Sequence, residues 1–116
     1  MTTTMTDTTT AVLGHHVQAL VTHDIEGVMA DYSEESVILS PNGPVTGLAG
    51  IRAFFIGAMD MLTPDAIAAM KVSAQVIEGE YALAVWSAGA VVPFAADSFH
   101  VRGGKIVMQT FAPKFD

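Results

Sequence analysis

Ala95-Ala96-Asp97-Ser98-Phe99-His100-Val101-Arg102-Gly103-Gly104-Lys105-Ile106 reads as a strand that enters a Gly-Gly turn and leaves along a second strand. Side chains alternate between the faces of a strand. Ser98, His100 and Arg102 therefore share a face that suits water, and Ala95, Phe99 and Val101 share the other. Asp97 falls among the apolar set. Burying a carboxylate there is costly unless it is paired or protonated. Asp97 is thus the strongest functional lead in the chain.

The strands around this hairpin extend the pattern. Met70 to Glu78 reads as one strand, and Tyr81 to Ala88 as a nearly all-apolar second one holding Trp86. A turn near Gly89 leads into Val91 to Arg102, where Pro93 predicts an edge position or a bulge. Lys105 to Ala112 is the last strand. Upstream, Ser36 to Ser40 is a short strand. Pro41-Asn42-Gly43-Pro44 is turn chemistry, and Val45-Thr46 returns antiparallel to it.

Three helices accompany these strands. Ala11 to Thr22 places Val12, Leu13, Ala19 and Leu20 on one stripe, which His16 shares, whereas His15 falls at its margin. A short second helix, capped by Asp24, uses Ile25, Val28 and Met29. Gly47 to Leu62 is the third, with Ile51, Phe54, Phe55, Ala58 and Leu62 on one face and Pro64 just past its end. Residues 1–10, mostly threonine without periodicity, read as a disordered tail, with one of Thr8, Thr9 or Thr10 capping the helix that follows. Residues 11–116 form one α+β domain, a curved and mainly antiparallel sheet with the helices covering one side.

Composition narrows the function classes. A chain of 116 residues supports a single core. A net charge of -7 with only five Lys and Arg argues against nucleic acid and anionic membranes as partners. The absence of cysteine removes disulfides, thiolate catalysis and Cys-based zinc sites. No apolar run is long enough to span a bilayer and no signal-peptide pattern is visible, so the expected location is cytoplasmic.

Three stretches together resemble one superfamily. They are Val17 to Tyr32, the Val37 to Gly43 hairpin with the Gly47 to Phe55 helix, and the Asp97 to Val107 hairpin. Their order and spacing are similar to the nuclear transport factor 2-like superfamily, in its ketosteroid isomerase and SnoaL-like polyketide cyclase branch. The resemblance implies a cone-shaped α+β barrel, its curved sheet wrapped around three N-terminal helices that close a pocket. It also implies a homodimer formed through the outer sheet face. Fold does not by itself name the activity, since isomerases, cyclases, epoxide hydrolases and non-catalytic binding domains share it.

Residue by residue, the resemblance implies the following. Asp97 matches the protonated Asp that donates to the developing oxyanion in ketosteroid isomerases, a carboxylic acid kept neutral by an apolar site. His16 stands where those enzymes carry a Tyr donor, and Ser40 where they carry the Asp general base. An unassisted serine does not shuttle protons between carbons near neutral pH, so steroid isomerisation by that mechanism is not expected. Asp97 and His16 are the candidate catalytic pair. Ser40, Tyr32, Phe55, Trp86 and Phe99 are candidate substrate contacts, in a pocket for a hydrophobic carbonyl-containing or polycyclic molecule. The competing reading makes Asp97 a structural carboxylate, His16 a core histidine and Ser40 a turn cap, in a binding or dimerisation domain without catalysis. Epoxide hydrolysis ranks last, because it needs an Asp-Arg-Asp set and only one inward Asp is evident. No cofactor is expected, and no metal, since His15, His16 and His23 lack a completing carboxylate set.

Overall fold

The computed structural model describes residues 4–114. In chain order the elements are α1 (Met5–Val21), α2 (Ile25–Met29), β1 (Val37–Ser40), β2 (Gly43–Thr46), α3 (Gly47–Met61) and α4 (Pro64–Ala68). Then come β3 (Met70–Glu78), β4 (Tyr81–Ala88), β5 (Val92–Arg102) and β6 (Lys105–Lys114). The six strands form one curved sheet in the order β2-β1-β6-β5-β4-β3. Neighbours are antiparallel except β1 and β6, which run parallel. No helix among the described residues is long and apolar enough to cross a membrane.

The apolar stripes of α1 and α3 meet the inner sheet face. Val28, Ile38, Ile51 and Ile106 are completely buried there, and each large aliphatic side chain so buried contributes about 1.5–3 kcal/mol. A smaller cluster of Leu62, Ala66, Ala88, Val92 and Ala95, joined by Trp86 and Phe111, fills the far end. Asp24 caps α2 by accepting from the Gly27 N–H at 3.0 Å. Gly103 and Gly104 both take positive φ, 60° and 76°. Glycine alone adopts this cheaply, and it is what a two-residue hairpin between Arg102 and Lys105 requires.

Several expectations are corrected. Residues 5–10 are not a disordered tail but the first turns of α1, while residues 1–3 lie outside the described set. The cap is Thr4, not Thr8, Thr9 or Thr10. Thr4 and Asp7 form a reciprocal capping box. Threonine is a poor helix former, but tertiary bonds offset that here. The Thr9 hydroxyl reaches the Gly79 carbonyl at 2.6 Å, and Thr6 Oγ1 accepts from the Gly79 N–H at 3.0 Å. Pro64, placed beyond the third helix, also opens the fourth one. Pro occupies its first turn and Thr63 accepts from the Ala66 N–H at 3.2 Å.

β5 is interior rather than an edge strand. Among the described residues, pairing of β5 begins at Phe94 with β6 and at Ala95 with β4, on the two sides of the strand. Phe94 falls on the outer face of β5 and is 49% exposed.

Candidate functional site

α1 and the inner face of β3, β4 and β5 enclose a cavity of about 390 Å³. α1 supplies Leu13, His16, Val17 and Leu20; the strands supply Met70, Val72, Ala84, Trp86, Asp97 and Phe99. The register explains the space. Gln75, Ala84, Asp97 and Phe111 form one row across the inner face. The Ala84 methyl leaves the room beside Asp97 that a larger side chain would fill.

Asp97 is buried at 7% exposure, as the alternation of its strand predicts. Its Oδ2 accepts from Gln109 Nε2 at 3.4 Å, and its Oδ1 has no hydrogen-bond partner. Burial raises its pKa to about 6, opposed by the nearby Trp86 indole and the Gln109 amide, which favour the charged form. At neutral pH the carboxyl is therefore mostly ionised and able to accept a proton.

His16 is buried on the stripe that the helical spacing places it on. Its ring meets Tyr32, Phe55 and Phe99 edge-on, with centroids at 6.0, 5.5 and 5.9 Å. Its Nδ1 has no partner. Burial, helped by the neighbouring His15, lowers its pKa to about 4, so the imidazole is neutral near pH 7. His16 and Asp97 line the same cavity without a hydrogen bond joining them.

The remaining candidates divide. Trp86 and Phe99 line the cavity. Tyr32 and Phe55 lie behind His16, outside the cavity lining, and pack on each other with centroids at 5.4 Å. Ser40 is also outside it, in the first hairpin. There its hydroxyl donates to the Gly43 carbonyl at 3.2 Å and accepts from the Asn42 N–H at 3.3 Å, the turn-capping role that serine commonly fills.

Gln109 is the polar residue that the sequence reading did not single out. The Tyr32 hydroxyl donates to its Oε1, which turns Nε2 toward Asp97. Alternation in β6 carries the signal, because Gln109 shares the inner face with Phe111. Asp31 was also missed: buried behind α1, its carboxylate accepts from His15 Nδ1 at 2.8 and 2.9 Å. Arg52 forms a two-pronged surface pair with Glu26, at 2.7 and 2.8 Å. No cluster of three or more His, Asp or Glu among the described residues is placed to hold a metal.

Comparison with known proteins agrees with this architecture. The protein assigned as a ketosteroid isomerase from Kribbella flavida superposes with a TM-score of 0.71 at 17% identity, covering 99% of this chain and 84% of its own. The one assigned as a polyketide cyclase from Sinorhizobium meliloti gives 0.69 at 15%, covering 87% and 93%. A de novo designed protein with a curved β-sheet gives 0.75 at 13%, covering 93% and 86%. The designed scaffold fits as well as the natural ones, so this likeness speaks for the fold alone. No curated protein matches the sequence. Residues 13–109, spanning both helices and sheet around the cavity, match the SnoaL-like domain, and the chain belongs to that family.

Proposed function

We propose that the protein binds a hydrophobic carbonyl-containing or polycyclic small molecule in this cavity and transfers a proton there, in an isomerisation or cyclisation. The observation that carries the reading is Asp97: a buried carboxyl with one unpartnered oxygen, beside a mainly apolar cavity. With a pKa near 6 it is a competent base at neutral pH. Neutral His16 offers an N–H to the carbonyl oxygen, where negative charge develops. The isomerase and cyclase assignments of the two natural neighbours are in keeping with such chemistry.

The test follows exchange of the acidic hydrogens next to the carbonyl of polycyclic ketones for deuterium, by NMR. Wild type accelerates exchange and Asp97→Asn does not; equal exchange by both proteins overturns the reading. A second reading, a binding domain without catalysis, is favoured by Ser40. The residue standing at the family's base position caps a turn instead of lining the cavity. Ligand binding without exchange would decide for it.

The outer sheet face supports self-association. Val76, Leu83, Ser98, Thr110 and Leu39 form one uncharged row across five strands. Val76, Leu83 and Leu39 are 60%, 39% and 47% exposed. A second copy of the chain, packed face to face, would cover them as a homodimer.

A further inference from the structure

Among the described residues, Asp97 and His16 are the only ionisable side chains that line the cavity, and no lysine or arginine does. Three of the five cationic side chains are engaged elsewhere: Arg52 with Glu26, Arg102 with Glu80, and Lys105 with the Ala30 carbonyl. His16 supplies no positive charge, being a neutral ring packed among three aromatics. Gln109 engages Oδ2 of Asp97 and leaves Oδ1 without a partner. A carboxylate so placed lacks a counter-ion, and a hydrogen-bond acceptor such as a ketone oxygen does not provide one. The chain as a whole carries a charge of -7, which adds a field favouring cations.

We propose that the cavity accepts a lipophilic amine, its ammonium paired with Asp97 and its apolar body held between α1 and Trp86. The inference rests on the reading of the cavity as a small-molecule site and adds a ligand class to it. The ammonium donates the charge-assisted hydrogen bond that Oδ1 lacks. The Trp86 indole, part of the same lining, is the aromatic surface best suited to a neighbouring cation.

The experiment compares 1-adamantylmethylamine, 1-adamantylmethanol and adamantane-1-carboxylate, three compounds of similar shape and different charge. Binding is read from the fluorescence of Trp86, the single tryptophan of the chain. At neutral pH the amine is expected to bind about tenfold tighter than the alcohol, with the carboxylate weakest. Asp97→Asn abolishes the preference for the amine over the alcohol. In wild type, NMR should show the Asp97 carboxyl titrating at lower pH when the amine is bound, a readout independent of the variant's folding. Equal affinity for amine and alcohol, or a preference that survives in Asp97→Asn, overturns the inference and leaves the small-molecule reading standing. Binding of none of the three overturns both.

Discussion

Gln109 Nε2 donates to Asp97 Oδ2 across two adjacent strands, and Tyr32 fixes the amide from its other end. The amide is thereby oriented with its donor side toward the carboxyl, the orientation an ionised Asp97 needs. Gln109→Leu removes that donor and leaves the buried Tyr32 hydroxyl without its acceptor. The variant should lose about 1–3 kcal/mol in denaturant unfolding. Because the Gln109 bond lowers the Asp97 pKa, NMR titration should show the carboxyl rising further above about 6.

Asp97 and His16 should tilt the pH profile in opposite directions. Asp97 has its folded pKa raised from 3.8 to about 6, so its contribution is fully present below 3.8 and is lost as pH rises through about 6. His16 has its folded pKa lowered from 6.5 to about 4, so its contribution is present above 6.5 and lost as pH falls through about 4. Each shift corresponds to about 3 kcal/mol. Between these values the two slopes largely cancel, and wild-type stability is expected to stay nearly flat. Asp97→Asn unmasks the His16 slope. It should be more stable than wild type at neutral pH and lose about 3 kcal/mol between neutral pH and pH about 4. Urea unfolding across that range checks it, and a parallel profile for both proteins would contradict the assignment.

Thr9 ties the first turns of α1 to the turn between β3 and β4, through its bond to the Gly79 carbonyl. Thr9→Val keeps the volume and removes the hydroxyl. Thermal unfolding should register a loss of about 0.5–1.5 kcal/mol. A loosely attached N-terminal segment would register no change.

Leu83 lies in the uncharged outer row between Val76 and Ser98, 39% exposed. Leu83→Glu places a charge where a second copy would pack. Light scattering should find the wild type dimeric and the variant monomeric, with the circular dichroism of the two unchanged.

Much of this was legible in the chain itself. Alternation alone put Asp97, Phe99 and Val101 inside, and helical spacing put His16 on the buried stripe of α1, because each pattern depends only on local backbone geometry. Paired glycines at Gly103-Gly104 and the Asp24 cap likewise declared a hairpin and a helix start. Other features depended on partners distant in sequence. Thr4 to Thr10 looked shapeless because the group that satisfies Thr9 lies at Gly79, 70 residues away. Gln109 gave no sign of its role until β6 was laid against β5 and Tyr32 was brought over it, 77 residues away in the chain. Ser40 matched a catalytic position by alignment of motifs, yet the hairpin engages its hydroxyl in its own turn, outside the cavity lining. Periodicity thus determined which side chains face inward. Tertiary structure decided which inward groups share a cavity and which are left without a partner, because burial and hydrogen-bond satisfaction belong to the packed chain and not to any segment of it.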